Sequence, residues 1–391
     1  MKDLKKSCQI LGVASSGGLS SEALAKNFKI KNKYQTEDEI FESDEIDAVF
    51  VLTQHFNHAD LVIKSINSGK AVYVEKPLAL KVDDITRIEE AMYNAEDPKI
   101  FLGFNRRFSN ASQFIKEKLN GAPANALNFR FSVPKLERDH WTNIKEIGGG
   151  RIVGEAIHAI DLGTYFFDSL PQNISSHSPI DKELDEAHDN QVFININYAN
   201  GAHAAVQYFS DTNNNLSKER LEIHGSDNSF IVEDFQLMRY LIGSDDKSKV
   251  FSDGKGHKQA IETFLRYVRN EVPNPFTWLE IKSVSLAGIY AQNYLKLLED
   301  RMGRDRDMPR FSDRTIDIDI LLYGDSSGEE CGLSLPRPEI LSSAFVLCPL
   351  AELHPRLKYL PTNMSFEELW GSFDKTEQKL WAIDLCFDSF S

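Results

Sequence analysis

The sequence predicts a doubly wound α/β domain, then an α+β domain built on an antiparallel sheet, then a third segment of different texture. Three observations carry this. Over the first hundred residues short apolar runs alternate with helical spacing. From residue 127 onward long period-two runs take over. Near Asp300 the composition turns abruptly to arginine and aspartate.

The elements follow in order. Residues 10–15 read as a short strand running into Ser15-Ser16-Gly17-Gly18, and residues 21–28 as a helix. Residues 47–53 (DAVFVLT) form a continuous apolar run, the mark of a strand buried on both faces of a parallel sheet. Residues 58–68 have helical spacing and stop at Gly69. Residues 71–75 (AVYVE) form a strand halted by Pro77, 83–94 a helix and 99–104 a strand. Short loops join them, as in a doubly wound sheet. Residues 127–133 alternate as a strand, and 154–167 read as a helix. Alternating runs follow at 191–198, 202–209, 220–224 and 230–232, with Ala199-Asn200-Gly201 as a turn. This is the pattern of an antiparallel sheet with one open face. Residues 258–268 and 279–298 read as amphipathic helices. The stretch RMGRDRDMPRFSDR carries five arginines and three aspartates and leads into a strand at 315–323 (TIDIDILLY).

The chain has 391 residues, enough for two or three domains. Its formal net charge is -15, which disfavours nucleic acid and anionic membranes as partners. No run of about 20 apolar residues is present to span a bilayer. Four scattered cysteines form no CxxC pair, as expected of thiols in a reducing cytoplasm.

Glu75-Lys76-Pro77 sits at the carboxyl end of a parallel strand, where open α/β sheets present ligand-binding groups. A lysine there can bind or protonate a hydroxyl oxygen while a nearby base takes a proton. GGGRIVGEAIHAIDLG sets His158 and Asp161 three apart, on one face of a helix. His158 is either such a base or a partly buried structural histidine. SSGGLSS reads as a tight strand-to-helix turn with a capping serine or as a phosphate site.

The string TQHFNHADLVIKSINSGKAVYVEKPLAL resembles the signature region of the Gfo/Idh/MocA oxidoreductases, and GFNRRF, the GGGR…H…D segment and NYANG also fit. The resemblance covers about residues 3–292. It implies a Rossmann-like domain, a large sheet domain, NAD(P) and a sugar or polyol substrate. It implies Lys76 and His158 as the catalytic pair, with Asp161 at the substrate and Thr53, Asn57, His58 and Glu75 near the cofactor. The family's first strand and its GxGxxG have no counterpart here, which predicts a weak hold on NAD(P)H. The family's acid four residues before the histidine is Gly154, with Glu155 beside it.

Asp317 and Asp319 flank Ile318 in a strand, so both carboxylates share one face. Such a pair suits Mg²⁺ shared with substrate phosphates, with Arg304, Arg306, Arg310 and Arg314 upstream as phosphate partners. Solvated acids on an edge strand are the alternative. MGRDRDMPRFSDRTIDIDILLYGD, LPRPEILSSAFVLCPLAELHP and FDKTEQKLWAID resemble 6-hydroxymethyl-7,8-dihydropterin pyrophosphokinase (HPPK). The resemblance implies Mg²⁺ with ATP and a pterin alcohol as acceptor. Asp317 and Asp319 would hold metal, Arg304 and Arg314 would contact phosphates, Phe311 would lie on a catalytic loop and Phe345 would stack on the pterin. Arg337 stands where the family has a nucleotide-contacting histidine, and Ser343 where it has an arginine. The half of that ferredoxin-like fold that supplies most of the pterin pocket has no counterpart in the sequence.

The expected domains are therefore 1–108, Rossmann-like; 109–293, the Gfo/Idh/MocA sheet domain; and 294–391, a portion of an HPPK domain. The open sheet face offers a surface for a homo-oligomer. Three functional readings follow: a folate-pathway pyrophosphokinase, a sugar dehydrogenase with a tail, or a non-catalytic remnant of both. Binding of ATP·Mg²⁺, of NAD(H) or of neither separates them.

Overall fold

A computed structural model describes residues 8–15, 22, 25–27, 29–30, 32–119, 121, 123–137, 139–177, 180–181, 186–187, 191–210, 212–293, 321, 328–330 and 333–374. The chain divides into two compact units, Met1–Arg301 and Met302–Ser391.

In the first unit, β1 (Gly12–Val13) pairs in parallel with β2 (Asn32–Lys33). A separate three-stranded parallel sheet holds β3 (Ala48–Val51), β4 (Ala71–Val74) and β5 (Ile100–Leu102) in sequence order. All four residues of β4 are buried, as its unbroken apolar run requires. Phe50, Tyr73 and Phe101 stand in register across the three strands. Their rings stack at 5.1 and 5.4 Å, and Phe264 caps all three edge-on at 5.3–5.6 Å. Phe264 belongs to a helix far along the chain, so one face of the first sheet is closed by a late segment. Helix α1 (Asp38–Glu42) precedes β3, α2 (His58–Asn67) links β3 to β4, and α3 (Val82–Asn94) links β4 to β5. The end of α2 is set by Gly69 at φ +71°, a conformation glycine takes without strain.

After α4 (Asn110–Leu119) the chain enters an eight-stranded sheet. Its strands are β6 (Ala126–Ser132), β7 (Pro171–His177), β8 (Gln191–Tyr198), β9 (His203–Phe209), β10 (Glu219–Gly225), β11 (Asn228–Glu233), β12 (Leu237–Ile242) and β13 (Asp245–Val250). Their spatial order is β13-β12-β11-β10-β6-β9-β8-β7. The expected antiparallel sheet is corrected at one pair: β6 runs parallel to β9. A long connection carrying helix α5 (Ile157–Phe167) intervenes between them, and such crossovers are what parallel pairs need. The sequence reading missed β7, β12 and β13. Two of these, β7 (PQNISSH) and the fully exposed β13 (DDKSKV), are polar edge strands without an apolar alternation. β8 alternates exposed and buried without a break, giving the sheet its open face.

The predicted helix at 154–167 opens instead as a π-helical turn, Ile152–Ala156, before becoming α5. α5 is buried almost all round, consistent with its apolar composition on every face. α6 (His257–Val268) and α7 (Trp278–Gln292) complete the unit, and α7 starts with a Thr277–Glu280 capping box.

The second unit, described by itself, has two short antiparallel pairs. They are β14 (Gly328–Glu330) with β15 (Leu333–Leu335), and β16 (Lys358–Tyr359) with β17 (Met364–Ser365). Helices α8 (Glu339–Ser342), α9 (Ala344–Leu353) and α10 (Phe366–Ser372) bury Ile340, Leu347, Ala351, Tyr359, Phe366 and Leu369 together. No helix among the described residues is long and apolar enough to cross a membrane.

Candidate active site

The site is assembled from the carboxyl end of β4, the turn after β5 and the start of α5. Lys76 stands two residues past the end of β4, and its ammonium donates to the Gly154 carbonyl in the π-helical turn. Burial pushes the Lys76 pKa below the ordinary lysine range, with Glu75 and Glu155 resisting. Burial likewise raises the Glu75 carboxyl, with Lys76 opposing. Gly103 makes room for this acid: a Cβ there would stand 2.9 Å from Glu75 Oε2.

His158 is only 3% exposed, and its Nδ1 has no hydrogen-bond partner among the described residues. Burial holds it well below the usual imidazole pKa, helped by Arg106 and Lys76, so it is neutral at pH 7. A buried polar nitrogen without a partner is costly, and one explanation for it is a ligand that completes the bonding. Lys76 bonds to Gly154, four residues before His158, so both belong to the same turn of chain.

Asp161 lies one turn further along α5 and is fully enclosed. Both of its oxygens are held by Arg107, which also stacks on Phe276 at 4.4 Å. It is thus one half of a buried ion pair. Arg106, the preceding residue, turns the other way and grips Glu219 of β10 at 2.9 and 2.7 Å. Lys255 reaches the same carboxylate at 2.5 Å. Burial pushes Glu219 up, but the two cations more than offset it and hold its pKa at about 2. Asn105 donates to the Lys255 carbonyl at 2.6 Å and lies 3.3 Å from His257 Nδ1.

The residues expected near a cofactor differ among themselves. Thr53 is exposed at the edge after β3, and Asn57 is half-buried. His58 is fully buried: Nδ1–H donates to the Pro77 carbonyl at 2.6 Å, and Nε2 lies 3.1 Å from the Thr53 carbonyl. It therefore ties the loop after β3 to the loop after β4.

Sequence reasoning passed over His55. Its Nδ1–H donates to the Gly148 carbonyl at 2.7 Å, and its ring meets Trp141 edge-on at 4.9 Å. Burial lowers its pKa to about 4, against the pull of the Gly148 bond. An ideal Cβ on Gly154 would lie 3.6 Å from its ring, so His55 lines the space beside Lys76's acceptor. A second histidine three residues before His58 was the available signal. Glu219 and His257 had none, because their partners lie over 100 residues away.

In the second unit, Arg337 pairs with Glu339 at 3.3 Å, and its amide donates to the Leu321 carbonyl at 2.9 Å. Phe345 is 69% exposed on α9. Arg304, Phe311, Arg314, Asp317 and Asp319 lie outside the described residues. Among the described residues no group of three or more His, Cys, Asp or Glu could hold a metal ion.

Three family models match successive parts of the chain. The model for the oxidoreductase family with an NAD-binding Rossmann fold matches residues 1–101, and that for the GFO/IDH/MocA C-terminal domain matches 108–231. The model for 7,8-dihydro-6-hydroxymethylpterin-pyrophosphokinase matches residues 279–355, a match that begins inside α7. Myo-inositol 2-dehydrogenase of Thermotoga maritima is 28% identical over 163 residues, 41% of this chain and 48% of that enzyme. Inositol 2-dehydrogenase of Rhizobium meliloti is 24% identical over 230 residues, 58% of this chain and 68% of that enzyme. The chain thus spans about half to two thirds of these relatives' length. Among solved structures, levoglucosan dehydrogenase in complex with NADH and levoglucosan superposes with a TM-score of 0.62 at 18% identity, over 73% of this chain and 88% of that one. UDP-N-acetylglucosamine 3-dehydrogenase GnnA from Acidithiobacillus ferrooxidans gives 0.64 at 16%, over 75% and 92%. At these identities the structures share a fold. The chain therefore joins an N-terminal region of the Gfo/Idh/MocA oxidoreductase family, with its NAD-binding Rossmann fold and C-terminal domain, to a C-terminal segment that matches the HPPK family.

Proposed function

We propose that the first unit oxidises or reduces a sugar or polyol carbon with NAD(P), using Lys76 and His158 to handle the hydroxyl proton. The observation that carries this is a buried His158 whose Nδ1 has no partner among the described residues, four residues on from the Gly154 carbonyl that holds Lys76. The residues present fit a nicotinamide ring at the carboxyl ends of β3 and β4. Thr53 is exposed there, and Leu52 and Phe56 leave 65% and 48% of their surface open beside it. Thr53, Asn57 and Glu75 would hold the ring, which when bound accepts or returns the hydride. His158 takes the hydroxyl proton as the carbonyl forms, and Lys76 binds the substrate oxygen. His55 and His58 keep the two loops in place by their bonds to Gly148 and Pro77.

For the second unit the proposal is pyrophosphoryl transfer from ATP to a pterin alcohol. Asp317 and Asp319 would hold Mg²⁺, and Arg304 and Arg314 would contact the phosphates. Phe345, Phe311 and Arg337 would contact substrate. The support is the RTIDIDILLYGD sequence and the HPPK match. The proposal includes a cytoplasmic setting. It also includes self-association through the open sheet face, where Phe193 is 45% exposed.

Turnover of inositols and sugars tests the first half. Lys76→Met and His158→Ala should each lower kcat by about 10²–10⁴-fold. Unchanged turnover in either variant removes that residue from the role. NADH titration should give a dissociation constant weaker than micromolar, since SSGGLSS is no GxGxxG. AMP release from ATP with 6-hydroxymethyl-7,8-dihydropterin tests the second half. Release that survives Asp317→Ala would rule out the metal role.

A further inference from the structure

We propose that Gln292 is a positioning residue for the site. Its side-chain carbonyl caps the π-helical turn that sets His158 and the Gly154 carbonyl relative to Lys76. The inference rests on the dehydrogenase reading above.

A helix start leaves backbone N–H groups without partners. A serine, threonine, aspartate or asparagine just ahead of the turn ordinarily accepts from them. Here Gly148-Gly149-Gly150-Arg151 stands ahead of the turn and offers no such oxygen. Gln292 Oε1 supplies it instead, accepting from Ile152 N at 2.8 Å and Val153 N at 3.3 Å. The donor and acceptor are 140 and 139 residues apart.

The helix that carries Gln292 is well anchored. α7 begins with its capping box, and Lys282 and Trp278 bind Glu89 of α3 at 2.7 and 2.8 Å. At its other end Ser176 donates to the Ala291 carbonyl at 2.6 Å. Gly288 lets Ile157, the residue before His158, press against α7: a Cβ on Gly288 would stand 3.0 Å from Ile157 Cδ1. α7 therefore fixes the start of the turn through Gln292 and its end through Ile157.

The turn itself is of a rare kind. A π-helix bonds each residue to the fifth one on, and its single turns occur frequently at functional sites. Without an acceptor at its mouth the turn can relax to α geometry. That would carry the Gly154 carbonyl away from Lys76 and rotate His158. A displacement of about 1 Å costs on the order of 10²-fold in rate.

The test compares Gln292→Leu with Gln292→Glu in the full chain. Glutamate keeps an oxygen acceptor in the same place, and a carboxylate suits a helix N-terminus. We expect Gln292→Leu to lower kcat by roughly 10–100-fold with little change in the KM for NADH. It should also move the His158 ring resonances, assigned by their loss in His158→Gln. Gln292→Glu should return both to near wild-type. Wild-type kcat and unmoved His158 resonances in Gln292→Leu would overturn the proposal, and so would equal impairment in Gln292→Glu. Should the wild-type chain turn over no sugar or polyol, the dehydrogenase reading has failed and the His158 resonances alone decide the role of Gln292. Should Gln292→Leu not fold, Gln292→Asn takes its place, because it keeps the amide but withdraws the oxygen by one methylene.

Discussion

The two units use their interiors differently. The first buries Arg106, Arg107, Arg151, His55, His58, His158, Asp161 and Glu219. The second buries no acidic or basic side chain among its described residues, only a small apolar cluster around Phe366 and Leu347. Buried charge is costly unless paired. The first unit meets that cost with a chain of partners: Arg107 with Asp161, and Arg106 and Lys255 with Glu219. Among the described residues a few buried polar atoms stay without a partner, Ser132 Oγ, Ser285 Oγ and His158 Nδ1 among them, and His158 is the one in the helix that follows the turn holding Lys76's acceptor. The lesson is that an incomplete buried polar atom points to a site only where other site groups stand beside it, as Lys76 stands beside the turn that leads to His158. In the second unit the expected chemistry lies on Arg304, Arg314, Asp317 and Asp319, outside the described residues, and the described portion is a small packed support.

The largest way to break this contrast is to strand a charge. Asp161→Ala leaves buried Arg107 with only the longer 3.6 Å contact to Glu280 and should cost about 3 kcal/mol in urea unfolding. A paired Arg107→Met/Asp161→Leu variant should recover most of it. A loss of under about 0.5 kcal/mol for Asp161→Ala would mean the pair is not a stabilising feature of the first unit.

Next comes acid. Glu219 has its pKa lowered from 4.5 to about 2, so the folded state binds its proton less readily than the unfolded chain. Its contribution is present above pH 4.5 and is lost as the pH falls from there to about 2. The shift corresponds to about 3 kcal/mol. Thermal melts across that window should show a steep loss in the wild type. Glu219→Gln should be less stable at pH 7 and show a shallower loss. Parallel curves would show that other acids govern the acid limb.

A smaller effect is expected at Gly103. Its Cβ would meet Glu75 at 2.9 Å from Oε2 and 3.2 Å from Cα, and backbone cannot move aside as a side-chain tip can. Gly103→Ala should destabilise by about 1–3 kcal/mol and, under the proposed dehydrogenase function, lower turnover by moving the loop that carries Lys76. Wild-type turnover with a lowered melting temperature would confine the effect to packing.

The smallest effect on stability is expected in the second unit. Phe345 is 69% exposed, so Phe345→Ala should change stability by less than about 0.5 kcal/mol. Under the proposed pterin role it should still lower pterin-dependent AMP release. An unchanged rate would leave Phe345 as an ordinary exposed ring on α9.

Much of this was legible in the sequence because it is local. The apolar run of β4 marks a strand covered on both faces; the similar run of β3 lies at the edge of its sheet, where Ala48, Val49 and Phe50 stay half-buried, so the expected double burial is corrected there. Glu75-Lys76-Pro77 follows β4 directly, so a strand assignment alone sets Lys76 at the sheet's carboxyl edge. The Gly69 stop and the period-two run of β8 were equally local. The polar edge strands β7 and β13 were not legible, since edge pairing asks little of side-chain pattern.

The sequence by itself determined the order of the elements, the change of character near Asp300 and the pair Lys76 and His158 as residues of interest. These rest on periodicity and on short strings, which act within a few residues. Only the tertiary structure decided the rest. It turned the adjacent Arg106 and Arg107 to opposite partners, Glu219 on the sheet and Asp161 on α5. It enclosed Asp161, set His55 beside Gly154 and brought Gln292 to the mouth of the π-helical turn. Each of these is a choice among polar groups far apart in the chain, and burial makes that choice by demanding a partner for every charge and N–H taken from water.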